Sequence, residues 1–264
     1  MKKFFALVLV AIMTLALVAC NTKPAEGKDS TSDSTTAPQD TAKVTEEDTT
    51  APDSESADSE STEKTVMSYA EFDAAELDST VVVETYIQGK QSWWENKGTF
   101  YTQAPDGAYF LYNMACTEEE YNKLTVGTKI RVEGVKAEWA GEVEIVDAKF
   151  TILESDPFIA EAKDVTEYLG KDELASFQNQ VVKFTELTVK SVEYKNGEPG
   201  DDIYVTFTKG DVECSFCVEA YLTGPDTDLY KKVGELKAGD VVNVTGFLYW
   251  YEGVNPHITS VTVK

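Results

Sequence analysis

The chain has 264 residues, 47 of them acidic against 23 basic, for a net charge of −24 with one histidine. That acid excess leaves few cations to displace counterions from a phosphate backbone, so nucleic acid is not expected as a partner. A lone histidine gives little from which to build acid–base or metal chemistry, so no enzyme, catalytic residue, cofactor or metal is expected.

In chain order, Lys2 and Lys3 precede an apolar run over 4–19 broken by Thr14. A basic start and an apolar stretch of this length mark an export signal. The run falls short of the ~20 residues a spanning helix needs. It ends in Leu17-Val18-Ala19-Cys20, which resembles the lipobox of bacterial lipoproteins. That resemblance implies a signal over 1–20 and a diacylglycerol on Cys20. The chain would then sit outside the cytoplasm, lipid-anchored to a bacterial membrane at the cell surface or facing the periplasm. Each buried methylene contributes ~0.8 kcal/mol, so two or three acyl chains hold a protein without a spanning helix.

Residues 21–66 are built almost wholly from Ser, Thr, Asp, Glu, Ala, Pro and Lys, with no aromatic residue. Such a segment cannot bury enough apolar surface to offset its ordering entropy, so a disordered acidic linker is predicted.

From Met67 the composition changes and an internal repeat appears. Residues 124–134 match 236–246 at an offset of 112, with glycines at 127, 134 and 141 in one copy and 239, 246 and 253 in the other. Alternation places Ile130, Val132, Val242 and Val244 inward, with Arg131, Glu133, Asn243 and Thr245 outward. After the first hairpin, Val143 and Ile145 alternate with Glu142 and Glu144. Gly134 and Gly246 sit where a strand must bend or bulge. Ahead of each repeat, the pattern predicts strands at 81–87, 99–102 and 108–113 with a helix over 118–124, and strands at 181–194, 203–208 and 212–218 with a helix over 226–236.

Each copy thus reads strand, strand, strand, helix, strand, strand, the order of a small Greek-key barrel. Residues 126–148 and 238–261 resemble the ends of bacterial OB-fold domains. The expectation is an all-β chain with short helices: two tandem five-stranded OB-fold-like barrels, 67–155 and 156–264, behind the linker.

All four tryptophans fall in loops at the ligand end of such barrels. Trp93 and Trp94 lie between the first two strands, Trp139 beside Gly141, and Tyr249, Trp250 and Tyr251 beside Gly253. These six are the candidate ligand-binding residues, with Trp93, Trp94 and Trp139 expected to form one aromatic rim on the first barrel and Trp250 and Tyr251 its counterpart on the second. They point to a non-catalytic binding or scaffolding role through envelope glycan or protein contact; the alternative is a structural or complex-assembly subunit. Filling of barrel ends or of the interface between copies is the competing role for these rings. His257, after Pro256, reads as a surface or hairpin residue, and Cys116, Cys214 and Cys217 as small buried hydrophobes.

Overall fold

The computed structural model describes residues 65–264, so the leader, Cys20 and nearly all of the acidic segment lie outside the described residues. The first element, α1 (Tyr69–Ala74), follows from Ser68 and Glu71, which form a capping box. It buries Phe72 against Tyr109, ring centroids 4.9 Å apart. Its C-terminal carbonyls are met by a buried cation: Lys136 Nζ donates to Phe72 O, Asp73 O and Ala75 O at 2.8–3.0 Å.

The first barrel consists of β1 (Thr80–Lys90), β2 (Lys97–Ala104), β3 (Gly107–Ala115), α2 (Glu118–Lys123), β4 (Lys129–Trp139) and β5 (Glu142–Ile152). It closes in the order β1-β2-β3-β5-β4, with β1 pairing back onto β4. Val81, Val83, Phe100, Leu111, Ile130, Val132 and Ile145 fill it.

The connector stays on this barrel through Phe158, whose ring meets Tyr86 at 5.2 Å, and Gln88, which bonds both Phe158 O and Ala160 N. The strand β6 (Lys163–Asp164) then joins the second sheet. Two short 3-10 turns, Thr166–Tyr168 and Asp172–Phe177, lead into β7 (Val181–Tyr194), β8 (Ile203–Lys209), β9 (Val212–Val218), α3 (Asp228–Gly234), β10 (Val241–Phe247) and β11 (His257–Val263). β10 pairs with both β11 and β7, so this sheet also comes round on itself. Phe184, Val205, Phe207, Phe216, Val242 and Val244 form its core.

The repeat has a shared physical basis. A Cβ on Gly134 would lie 2.5 Å from Ile145, and one on Gly246 2.3 Å from the His257 carbonyl. The ladder slips at both places, between Glu133 and Val135 and between Thr245 and Gly246. The predicted fold class, mostly strand with OB-fold-like barrels, is the observed one. Both barrels belong to one compact unit that runs to Lys264.

Candidate functional site

In barrels of this topology, the outward face of the second and third strands is the usual ligand surface. In the first barrel that face carries Tyr101, Gln103 and Phe110. Tyr101 is only 1% exposed and Phe110 2%, although neither belongs to the barrel core. The second barrel covers them. Tyr101 stacks on Phe247 with centroids 4.3 Å apart and planes 12° from parallel. Phe110 meets Tyr249 edge-on at 5.2 Å, and Tyr249 lies over His257 at 4.3 Å. Such ring pairs contribute ~0.5–1.5 kcal/mol each beyond area burial.

Hydrogen bonds run the length of this seam. Val181 N donates to Gln103 Oε1 at 2.8 Å, Ser92 N to Tyr221 O at 2.8 Å, Asn179 Nδ2 to Val143 O at 3.0 Å, and Glu252 N to Ala140 O at 2.7 Å. Two glycines let the halves approach: a Cβ on Gly89 would lie 2.8 Å from the Phe247 ring, and one on Gly141 2.8 Å from the Trp250 indole.

His257 is therefore not a surface residue. It is 5% exposed and its Nδ1 lies 2.5 Å from Tyr101 Oη. Burial lowers the imidazole pKa to about 3, while burial foremost raises the Tyr101 phenol well above its ordinary range. Neutral histidine accepts on Nδ1 and the phenol donates, with Gln91 Nε2 donating in turn to Tyr101 Oη at 3.2 Å.

Glu142 and Glu144 do point away from the barrel core, as alternation requires, yet outward here means under the second barrel: they are 0% and 7% exposed. Glu142 Oε2 accepts from Trp250 N at 2.8 Å and from Gln178 Nε2 at 3.3 Å. Burial pushes the Glu142 carboxyl well above the ordinary carboxylate range, and raises Glu144 to about 7. Glu219 is also raised to about 7 by burial, against the opposing pull of the Tyr221 and Leu222 amides it accepts.

The six candidate aromatics group differently from two rims. Trp93 packs on the first core and donates through Nε1 to Cys116 O at 3.0 Å, while Trp94 is 72% exposed. Trp139, 54% exposed, meets Tyr251 of the other barrel at 5.2 Å with the rings tilted, rather than joining Trp93 and Trp94. Trp250 lies over Gly141 and Tyr249 is inside the seam. Interface filling thus accounts for Tyr249 and Trp250, and leaves Trp94, Trp139 and Tyr251 facing outward. Cys116, Cys214 and Cys217 are free thiols whose pKa values burial raises.

The matching face of the second barrel is partly open. Register places Ser191, Thr206 and Ser215 in one row, Thr188, Thr208 and Glu213 in the next, and Glu193, Tyr204 and Cys217 in a third. Glu193, Glu213 and Ser215 are exposed, Tyr204 and the threonines half-buried, and Cys217 is buried toward the seam. Lys190 pairs with Glu213 across the edge. In the adjoining β7–β8 loop, Lys195 Nζ holds Asp202 at 2.9 Å and Asp201 at 3.4 Å. A shallow cavity of about 440 Å³ beside this loop is lined by Asn196, Glu198, Asp201 and the exposed Tyr221. These residues carried no motif; their signal lies only in strand register.

No protein-family profile and no curated protein sequence matches the chain. Solved structures similar to it include a murine DNA-binding protein bound to double-stranded DNA (10% identity, 69% of this chain, 94% of that one, TM-score 0.35). The HINa domain of Ifi202 in complex with a 20-bp duplex is another (11%, 70% and 98%, TM-score 0.31), as is the tetrameric HIN2 domain of p202 (12%, 72% and 97%, TM-score 0.35). These findings correct the exclusion of nucleic acid and the ranking of glycan, protein or scaffold roles above it. Two of these structures hold duplex DNA, against the expectation, drawn from overall charge, that nucleic acid is an unlikely partner.

Proposed function

We propose that this chain is an exported, lipid-anchored, non-enzymatic protein whose first barrel is a platform and whose second barrel presents the ligand face. One observation carries the reading: Tyr101 and Phe110 are covered on the first barrel, while Glu213 and Ser215 on the corresponding face of the second are exposed. The lipobox at 17–20 behind a basic, apolar leader supports the anchor.

Nucleic acid is the ligand class taken forward, since this face serves oligonucleotides in barrels of the type. The neighbours' likeness is one of fold, so the surface must supply the terms. The hydroxyls of Ser191, Thr206 and Ser215 suit base edges, and Tyr204 offers a stacking ring. Glu193 and Glu213 beside them repel phosphates. The ligand is therefore a single strand with its bases turned to the sheet. Its affinity should change little with salt, unlike phosphate-led binding.

The test is anisotropy of labelled single-stranded and duplex oligonucleotides with the detergent-solubilised full chain at two salt concentrations. The reading expects single-strand binding with a flat salt response, lost in Tyr204→Ala by the ~1–3 kcal/mol typical of base stacking. Absence of binding, or unchanged binding by Tyr204→Ala, overturns it. For the anchor, Cys20→Ala is expected to move the protein from membranes to the soluble exported fraction; an unchanged membrane fraction contradicts lipidation.

A further inference from the structure

Two buried side-chain oxygens in the seam have no hydrogen-bond partner: Glu142 Oε1 and Asn179 Oδ1. The rest of both groups is committed. Glu142 Oε2 accepts from Trp250 N, and Asn179 Nδ2 donates to Val143 O, which orients the amide with its oxygen on the other side. The Asn179 amide pulls the Glu142 carboxyl pKa down, a smaller effect than the rise that burial imposes. Each of these two acceptors lacks a donor, and a buried acceptor without one costs ~1–3 kcal/mol.

The groups facing Glu142 supply no compensating charge. Its own strand contributes Glu144, β2 contributes Tyr101, α1 contributes Tyr69, the β10–β11 loop contributes Tyr249 and the Trp250 amide, and the turn before β7 contributes Gln178 and Asn179. These are acids, phenols and amides. Among the described residues no group of three His, Cys, Asp or Glu side chains gathers to hold a metal ion in their place.

We propose that Glu142 is held as a neutral carboxylic acid whose proton, on Oε1, is donated to Asn179 Oδ1, and that this proton latches the two barrels together. The closed seam binds the proton; opening hydrates the carboxyl and releases the proton to solvent. Opening also uncovers Tyr101 and Phe110, and with them the β2–β3 face of the first barrel. Alkaline conditions therefore expose a second ligand surface that acidic conditions keep covered. Burial of Glu142 raises its carboxyl pKa, which agrees in direction.

Amide hydrogen exchange on the detergent-solubilised full chain tests the latch at two cross-seam amides, Trp250 N–H and Val181 N–H, corrected for intrinsic rate and followed from pH 5 to 7. One released proton makes the open population rise about tenfold per pH unit. Glu144 and Glu219 add to the wild-type slope, so the comparison is with Glu142→Gln, an uncharged isostere that can still donate to Asn179. Wild type is expected to open about tenfold more steeply per pH unit than Glu142→Gln; equal slopes overturn the proposal. Should Glu142→Gln fold poorly, infrared spectroscopy at pH 6 of a Glu144→Gln, Glu219→Gln variant, uniformly labelled against Glu-unlabelled, reads the Glu142 carboxyl without the two acids whose pKa values also lie above that pH. A protonated-carboxyl band in a dry environment is expected, and glutamates seen only as carboxylates overturn the latch.

Discussion

Glu142, Glu144, Glu219 and His257 make stability depend on pH in opposite senses. The three acids have raised pKa values in the folded protein, two of them to about 7. The native state therefore binds more protons than the unfolded chain above about pH 4.5, and their contribution is lost as pH rises toward 7. His257 is lowered to about 3, so its neutral form is favoured above the ordinary histidine pKa and penalised as pH falls from about 6.5 to 3. Each such proton changes stability by about 1.4 kcal/mol per pH unit within its window. Stability in urea is expected to peak near pH ~5 and to be lower at pH 8; a higher midpoint at pH 8 contradicts the assignment. Tyr101→Phe leaves His257 Nδ1 without its phenol donor and is expected to cost ~1–3 kcal/mol in the same measurement. The outward direction of Glu142 and Glu144 was legible in the sequence; their burial was not, because alternation gives a side chain's face and says nothing of what covers that face. A signal was present in Tyr109-Phe110-Leu111-Tyr112, bulky on both faces, as strands covered on both sides are.

The elements were the most legible level. The repeated glycines 134 and 246 mark real ladder slips, and both barrels follow the predicted strand order. The helix α1 escaped because hydrophobic periodicity needs more than its six residues, although Ser68 and Glu71 spell its capping box. Its link to the barrel is Lys136, which alternation along β4 marks only as one more charged residue. Lys136→Met retains the stem but strips three carbonyls of their donor. A charged hydrogen-bond donor contributes ~1.5–3 kcal/mol, so a loss in that range is expected by denaturation. A loss under 0.5 kcal/mol on the same scale, roughly that of a surface substitution, would show that α1 does not depend on this residue.

At the scale of the whole molecule, two copies of one unit are legible in the repeat, while their joining is not. The joining depends on residues with no common motif: Tyr101 and Phe110 from one copy, Phe247, Tyr249 and His257 from the other. It also explains why the candidate aromatics divide between interface and solvent, and why the two equivalent faces have unequal access. The contacts of Phe158 and Ala160 with the first barrel hold the start of the connector in place, so limited proteolysis is expected to cut there slowly. The account depends most on the covered face of the first barrel, and a double-mutant cycle on Tyr101 and Phe247 measures it directly. With Tyr101→Ala, Phe247→Ala and the double variant unfolded in urea at pH 6, the stacked pair is expected to show a coupling of ~0.5–1.5 kcal/mol. Additive losses, with no coupling, would mean that the two rings do not meet in solution and that the first barrel's face is open.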